Sequence, residues 1–375
     1  MILVDWYLPG YKAGGPVQSC ANMVSHLKDR YRFSIVCRDT DYGETGPYPG
    51  IPSDTWIETE KGVRIYYISK GNRTNFTLKK LLKGDYTVLY LNSLFSYYFS
   101  ILPLILNKSI NKVILAPRGM LGQGALSIKP LKKKLFLTGA KCTGFFSKIT
   151  WHASTNMEAS EIKAAFGQQA KVITALNLPP VKSLTQANHE KKPNSLCLFF
   201  LSRISPKKNL LAALNFLEQV NPCYSIKFNI IGPAEDLNYW KRCQEKIADL
   251  KERRPSLTIS YEGPIENKRL NEKLKEFHGL ILPTLNENFG HVILDALAAG
   301  CPVILSDQTP WKNLQERKIG WDFPLSNEKD FVAAIETLAA MNQESFNELS
   351  LNAFKEAVKF YNDQEIISQN IMLFE

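Results

Sequence analysis

The sequence predicts an α/β protein with two domains in series, each built on a parallel sheet. Short apolar runs alternate with amphipathic segments along the whole chain, the pattern of strands joined by crossover helices. A polar segment at 176–195, which contains Pro179-Pro180, interrupts this alternation. With 375 residues, the chain is long enough for two cores of ordinary size. We therefore expect domains at 1–180 and 190–350, with a ligand cleft between them.

The first domain is expected to open on a strand at 2–7, followed by a glycine-rich loop and a helix from about 17 to 28. In that loop, Gly15 of Gly14-Gly15-Pro16 allows the backbone to approach a ligand closely, although the same residues also fit a plain tight turn. Apolar runs place further strands at 33–37, 63–68, 87–91, 113–115 and 171–175, and helices at 94–106, 129–138 and 156–166.

The second domain repeats the alternation more regularly. Amphipathic segments at 208–219 and 235–249 predict helices, and the final stretch at 344–373 also has helical spacing. Strands are expected at 196–202, 226–231, 257–261, 279–282, 303–305 and 321–323.

Positive charge is concentrated in the first half of the chain. Residues 1–180 contain 23 Lys and Arg against 11 Asp and Glu, whereas the whole chain has 46 against 36. This asymmetry indicates either a solvated basic surface or an anionic partner such as nucleic acid, acidic lipid or a phosphate-bearing acceptor. No motif interleaves basic and aromatic side chains, so nucleic acid is not an expected partner. The basic helix at Lys129–Lys134, with Leu131, Leu135 and Phe136, fits an ordinary surface helix or docking on an anionic membrane.

The cysteines and the hydropathy indicate a cytoplasmic protein. Seven cysteines are scattered without a C-x-x-C pair, so we expect neither a disulfide framework nor a zinc site. No basic segment precedes an apolar one at the N-terminus, which argues against a signal peptide. The longest apolar run, Leu94–Leu106, has about thirteen residues, fewer than the about twenty that cross a bilayer.

The stretch at 284–304 is the most informative part of the sequence. It follows an apolar run, opens on a polar loop with Glu287 and Gly290, continues as a helix, and leads into another apolar run. The amino end of a helix that follows a parallel strand favours phosphate, because its N–H groups and dipole are free to bind an anion. A neighbouring carboxylate can bind sugar hydroxyls, and Asp295 lies eight residues further on. Together these features predict a nucleotide-sugar site.

Two cations flank the turn after the strand at 196–202. Arg203 and Lys208 are placed to neutralise a diphosphate leaving group, although the same turn alone could be an exposed basic loop. Asp39-Thr40-Asp41 forms a D-x-D motif, but it lies in a turn far from these residues, and we interpret it as turn chemistry.

Several residues follow strands of the first domain and are candidates for the cleft. Asn92 ends one expected strand, and Arg118 beside a glycine ends the next, where it would suit an anionic group. His152 is interpreted as the start of a helix cap that could line the cleft. These three residues are the candidates on the acceptor side.

Nearly the whole chain resembles the retaining glycosyltransferases of family 4, which have the GT-B fold of two Rossmann-like domains. The resemblance rests on Gly14-Gly15-Pro16, the Arg203 and Lys208 pair, Gly263-Pro264-Ile265, Glu287-Asn288-Phe289-Gly290 and Gly300-Cys301-Pro302-Val303-Ile304. It implies that a final helix at about 355–375 packs back on the first domain.

The resemblance also implies individual roles. Glu287 would contact the transferred sugar, and Arg203 and Lys208 would stabilise the leaving diphosphate. Asp295 stands where the family has a glutamate that grips the ribose, and Asn209 stands where many relatives have glycine. The remaining donor-site residues are Ile265, which would meet the base, and Asn288, Phe289, Gly290, His291 and Val292, whose backbone would hold the sugar and the diphosphate.

The activity implied is transfer of a sugar from a nucleoside-diphosphate sugar to a glycan or polyprenyl-diphosphate-linked acceptor. This would serve surface polysaccharide biosynthesis, of the O-antigen or capsule kind, at the cytoplasmic face of the membrane. Neither a metal nor another cofactor is expected, and no general base is assigned. A sugar-nucleotide epimerase and a soluble glycosyltransferase with a small acceptor, both of the same fold, remain alternatives.

Overall fold

A computed structural model of the chain describes residues 1–126 and 130–375. The described residues form two compact units. The first contains Met1–Val181 and Asp363–Glu375, and the second contains Lys182–Asn362.

In the part of the chain that the structure describes, the first unit is built on one sheet. Its strands are β1 (Ile2–Val4), β2 (Phe33–Arg38), β3 (Trp56–Glu60), β4 (Val63–Ile68), β5 (Val88–Asn92), β6 (Lys112–Ala116), β7 (Thr150–Ala153) and β8 (Val172–Thr174). Across the sheet they lie in the order β3-β4-β2-β1-β5-β6-β7-β8, and all neighbours are parallel except β3 and β4. All residues of the central strand β5 are buried, which explains its continuous apolar sequence.

Helices connect these strands and pack apolar side chains such as Leu78 and Ile162 into a core shared with Trp151. The expected helix at 129–138 corresponds to the fifth helix, and Lys129 itself lies outside the described residues. The helices are α1 (Gly15–Leu27), α2 (Asn75–Leu82), α3 (Leu102–Leu106), α4 (Gln123–Leu126), α5 (Pro130–Cys142) and α6 (Asn156–Phe166), with a π-helix at Tyr97–Ile101.

The second unit is built on a parallel sheet that has six strands among the described residues. They are β9 (Ser195–Leu201), β10 (Ser225–Ile231), β11 (Leu257–Gly263), β12 (Gly279–Leu282), β13 (Val303–Ser306) and β14 (Gly320–Phe323). Their order is β11-β10-β9-β12-β13-β14. Because all strands run the same way, the loops that follow them gather at one edge of the sheet.

The helices of the second unit alternate with its strands. A short 3₁₀ turn, Pro206–Lys208, precedes the first of them. The helices are α7 (Leu210–Gln219), α8 (Leu237–Arg253), α9 (Asn267–Leu274), α10 (His291–Ala298), α11 (Glu328–Ala340) and α12 (Gln343–Tyr361).

The helix expected at about 355–375 is two helices. The last helix of the second unit ends at Tyr361, and α13 (Gln364–Met372) belongs to the first unit. Asp363 separates them because its side chain accepts the backbone N–H of Glu365 and so begins a new helix. Asn370 of α13 donates to the Leu176 carbonyl at 2.8 Å.

Two strands of the first unit differ from the expectation. His152 lies within strand β7, not at a helix cap, because Thr150–Ala153 is fully buried between β6 and β8. Strand β3 was not expected, since it has no continuous apolar run and its last three residues are exposed. It exists because it pairs antiparallel with the edge strand β4.

Candidate functional site

The polar loops of the second unit are joined at the carboxyl edge of its sheet. The loop after β12 lies between the loops that follow β9 and β13. On one side, the Leu285 N–H donates to the Lys207 carbonyl at 2.8 Å. On the other side, the Glu287 N–H donates to the Gln308 carbonyl at 2.8 Å. Residues far apart in the sequence therefore form one surface at this edge.

Lys208 and Glu287 form an ion pair on this surface. Their side chains are only 11% and 15% exposed. Burial raises the pKa of Glu287, but the Lys208 ammonium and the Asn288 N–H outweigh it, so the pKa lies below its usual value. Asn209 takes a left-handed conformation, with φ of 58°, which asparagine tolerates better than most residues. The site thus presents a carboxylate that is ionised at neutral pH beside a largely buried ammonium.

The amino end of helix α10 adjoins this pair. Gly290, the residue before the helix, has φ of 81°, and its carbonyl accepts the Ile293 N–H at 2.8 Å. The preceding residue is fixed, since the Trp311 indole N–H donates to the Phe289 carbonyl at 2.7 Å. The amino end of a helix carries a partial positive charge, so this end of α10 favours an anion such as a diphosphate.

Asp295 lies one turn further along α10 and faces a lysine that the sequence did not indicate. The Lys182 ammonium lies 3.7 Å from the Asp295 carboxylate and donates to Asn271 at 2.6 Å. Burial raises the pKa of Asp295, and Lys182 opposes this shift. Lys182 also lies 5.9 Å from the ring centre of Tyr361. No sequence signal connects Lys182 with Asp295, because 113 positions separate them.

Arg203 has a different carboxylate partner from Lys208. Its guanidinium forms an ion pair with Glu235, which follows β10 and was not identified from the sequence. Ile265 follows β11 at the same edge and is half-buried. The structure therefore brings Lys208 and Glu287 together, while Arg203 stands with Glu235 beside the loop after β10.

In the first unit, Asn92, Arg118 and His152 belong to one hydrogen-bonded network. The Arg118 guanidinium donates to Asn92 at 2.7 Å, to Asn177 at 2.6 Å and to the Tyr90 hydroxyl at 2.8 Å. The same hydroxyl lies 2.6 Å from His152 Nδ1. The sequence placed Asn92 and Arg118 at strand ends and His152 at a helix cap, and it did not indicate their mutual bonds. This network ties the ends of neighbouring strands together.

His152 is not a candidate general base. Its Nε2 lies 2.8 Å from the Ala175 carbonyl, and its ring is buried. Burial, together with the nearby Arg118 charge, lowers the pKa of His152 to about 3. The expectation that it lines a ligand cleft is therefore wrong, since both ring nitrogens are engaged inside the sheet.

The glycine-rich loop of the first unit is held by the D-x-D motif. The Asp41 carboxylate accepts the N–H of Tyr11 at 3.0 Å and that of Lys12 at 3.3 Å. Gly14 has φ of 71° and precedes α1, whose first residue, Gly15, is exposed. The structure thus gives Asp41 the turn-forming role and leaves the backbone at Gly15 accessible.

The buried His152 predicts a measurable pH dependence of stability. The unfolded chain binds a proton at this residue near pH 6.5, whereas the folded chain does so only near pH 3. Stability must therefore fall as pH falls between these values, by about 1.4 kcal/mol for each unit. Between pH 7 and pH 5, the melting temperature should depend less steeply on pH in His152→Gln than in the wild type. Equal slopes would contradict the buried neutral state of His152.

Residues 181–356 match the family of glycosyl transferases, group 1. The resemblance inferred from the sequence is thus confirmed over the second unit. A curated relative, the phosphatidyl-myo-inositol mannosyltransferase of Mycobacterium leprae (strain TN), is 21% identical over 218 residues. The aligned part is 57% of this chain and 55% of the relative, so the chain spans about half the length of the curated relative that it matches.

Solved structures extend the similarity to both units. Sucrose-phosphate synthase from Thermosynechococcus elongatus aligns with a TM-score of 0.70 at 15% identity, over 96% of this chain and 93% of that chain. HepE of Anabaena, in complex with UDP and glucose, gives a TM-score of 0.67 at 13% identity, over 98% and 97%. Likeness at these identities concerns the fold, and it confirms the expected α/β fold of the GT-B type.

Proposed function

We propose that the protein is a retaining glycosyltransferase of family 4 that uses a nucleoside-diphosphate sugar. The observation that carries this proposal is the Lys208 and Glu287 ion pair beside the amino end of α10. A diphosphate needs cationic groups and N–H donors, and a sugar needs a hydrogen-bond acceptor for its hydroxyls. This edge of the second unit supplies both within one surface.

Each residue would have a distinct task in the reaction. Lys208 and the N–H groups of α10 would stabilise the diphosphate as its bond to the anomeric carbon breaks. Glu287 is ionised, so it would accept hydrogen bonds from the sugar and would not act as an acid. The acceptor oxygen would attack from the same face, and its proton would pass to an oxygen of the leaving diphosphate. Charge compensation comes from the protein, so the reaction is proposed to need no metal.

Asp295 would hold the ribose of the nucleotide. Its carboxylate is shorter by one methylene than the glutamate of the family pattern, and Lys182 opposes the rise in its pKa that burial causes. Lys182 is then a positioning residue, since it acts on the ribose through Asp295. The remaining donor-site residues follow strands β11 and β12 at the same carboxyl edge of the sheet. They are Ile265, Asn288, Phe289, His291 and Val292.

The acceptor is proposed to be a glycan carried on a lipid diphosphate at an anionic membrane. On helix α5 of the first unit, Leu131 and Leu135 are 82% and 77% exposed, and Lys132 and Lys134 beside them are also exposed. An apolar stripe flanked by lysines is typical of a helix that lies on anionic lipid. Among the described residues, none of the helices combines the length and apolarity needed to cross a bilayer. We propose that the protein acts at the cytoplasmic face of this membrane, in surface polysaccharide assembly.

Membrane docking through α5 can be tested with a matched control. Leu131→Gln combined with Leu135→Gln should abolish cosedimentation with vesicles of phosphatidylglycerol and phosphatidylcholine. Leu237→Gln should not, because Leu237 is 73% exposed but lies on α8 of the second unit. Wild-type binding should weaken with added salt, since salt screens the lysines. Equal binding by the double variant and the control would refute this surface.

A sugar-nucleotide epimerase or a soluble glycosyltransferase with a small acceptor is the second candidate. The exposed leucines of α5 favour the membrane enzyme, since a soluble enzyme has no need of them. A wild-type protein that ignores anionic vesicles and glycosylates a free small acceptor would favour the second candidate.

The donor itself can be identified with a panel of nucleotide sugars. A specific donor should raise the melting temperature by mass action, and the corresponding nucleoside monophosphate should do so much less because it lacks the diphosphate. The shift should be lost in Asp295→Ala, which removes the proposed ribose contact. If no nucleotide sugar stabilised the wild type, the proposed function would be wrong.

A further inference from the structure

A second polar cluster lies at the carboxyl edge of the sheet in the first unit. Asp5 follows β1, Arg38 ends β2, Asp39 comes next, and Arg73 lies between β4 and α2. The Arg38 N–H donates to the Asp5 carbonyl at 3.1 Å, and the Asp39 N–H donates to the Ile68 carbonyl at 3.3 Å. The ends of neighbouring parallel strands therefore place Asp5, Arg38 and Asp39 at one edge, and Arg73 lies in the segment that follows β4 at this edge. In α/β sheets this edge is where ligands bind.

In one half of the cluster, the charged side chains bind one another. The Arg38 guanidinium donates to Asp5 at 2.8 Å and lies over the rings of Trp6, at 5.1 Å, and Phe99, at 5.6 Å. Asp5 is 9% exposed, and Trp6 is half-buried. These groups form a fixed wall in which Trp6 stays partly exposed, with the Tyr42 ring in T-shaped contact at 5.1 Å between ring centres.

The other half contains two enclosed polar atoms without hydrogen-bond partners. Asp39 is 7% exposed, and its Oδ2 accepts the Ser53 hydroxyl at 2.9 Å, but its Oδ1 has no partner. The Nε of Arg73 is also enclosed and has no partner. Burial lowers the pKa of Arg73, with Arg38 adding to the shift and Asp39 opposing it, so Arg73 lies among these charges. Unsatisfied buried polar atoms are rare in proteins, and each needs an explanation such as a functional role or a bound group.

The two orphan atoms define the chemistry of what they bind. Asp39 Oδ1 needs a donor and Arg73 Nε needs an acceptor, and a hydroxyl group can be either. A phosphodiester has no hydrogen to donate to Asp39 Oδ1, whereas a hydroxyl group has one. A neutral polyhydroxyl compound meets both requirements, and the partly exposed Trp6 ring offers apolar contact for a sugar ring.

We infer that Asp39 and Arg73 bind hydroxyl groups of a sugar, which on the proposed function is the terminal sugar of the glycan acceptor. Asn92, Arg118 and His152 are the acceptor-side residues expected from the sequence. Their polar atoms already form hydrogen bonds within one network, in which Tyr90 joins Arg118 to His152. The Asp39 and Arg73 cluster has unused hydrogen-bonding capacity, which makes it the better acceptor subsite. Asp39 is part of the D-x-D motif, whose other acid, Asp41, has the turn-forming role.

The subsite can be tested by saturation-transfer difference NMR with methyl glycosides of glucose, galactose, mannose, N-acetylglucosamine and rhamnose. At least one should bind the wild-type protein, and Arg73→Gln and Asp39→Asn should each weaken that binding by at least about tenfold. Arg32→Gln, at an exposed arginine of the same unit, should bind like the wild type. Thermal unfolding of each variant would show whether it is folded.

Parallel measurements separate this inference from the proposed function. Stabilisation of Arg73→Gln by the nucleotide sugar should equal that of the wild type, because the donor site lies on the second unit. Glycoside binding that depends on Arg73, in a protein that binds no nucleotide sugar, would leave the sugar subsite standing and refute the transferase. If no glycoside bound the wild type, if the variants bound it equally well, or if only inorganic phosphate bound in an Arg73-dependent way, the subsite would be overturned.

Discussion

Lys208→Met is expected to reduce kcat/KM for transfer by at least about 10²-fold, the loss typical when a preorganised group that stabilises transition-state charge is removed. Lys208 is largely buried and paired with Glu287, so it is fixed before the donor arrives. Its loss would also leave the Glu287 carboxylate buried without its cation, and the pKa of Glu287 would rise. Steady-state kinetics with the identified nucleotide sugar, from pH 5 to pH 8, would measure both effects.

A matched control separates chemistry from surface charge. Lys241→Met removes an exposed lysine from α8 of the same unit and should leave kcat/KM unchanged. Glu287→Gln keeps the shape of the side chain but removes its charge, and it should also lose transfer while remaining folded. Full turnover by Lys208→Met, or an equal loss in Lys241→Met, would show that the ion pair has no part in the reaction.

Gly290→Ala is expected to impair both the fold of the site and its activity. Gly290 has φ of 81°, which strains any residue with a Cβ. An added Cβ would lie 2.6 Å from Ile293 Cδ1 and 3.2 Å from Glu287 Cγ, so the start of α10 and the Glu287 side chain would have to move. We expect a loss of about 1–3 kcal/mol in the free energy of unfolding, and a larger fractional loss of transfer. Chemical denaturation and kinetics on the same preparation would measure the two effects.

Gly71→Ala provides the comparison for this variant. Gly71 lies in an exposed turn, and an added Cβ would meet nothing within 4 Å. Its stability and turnover should match the wild type. A Gly290→Ala protein with wild-type turnover would mean that the start of α10 tolerates displacement and does not position the donor.

The sequence predicts the second sheet well because parallel strands buried on both faces are read as continuous apolar runs. The strand expected at 279–282 is found at Gly279–Leu282, and the one expected at 303–305 is found at Val303–Ser306. Strand β3 was missed because it has no continuous apolar run and its existence depends on pairing with β4. Strand β7 was interpreted as the start of a helix cap, because a four-residue strand is too short to show a repeating pattern of apolar side chains.

The site was predictable to the extent that it follows the backbone. Glu287, Gly290 and Lys208 lie after strands of one parallel sheet, and the order of strands brings their loops together. Side-chain partners from remote segments could not be inferred, since no local pattern encodes them. Lys182 beside Asp295, Glu235 beside Arg203 and Tyr90 between Arg118 and His152 are of this kind.

Hydrogen–deuterium exchange with and without the nucleotide sugar tests most directly whether α10 and Glu287 hold the donor. Binding should slow amide exchange in the loop at 284–290 and in the first turn of α10, because a bound donor would oppose the local opening of these segments. Exchange in α8, which carries none of the proposed donor contacts, should be unchanged and serves as the internal reference. A donor that binds and slows exchange elsewhere, while residues 284–294 exchange as in the free protein, would contradict this location of the site.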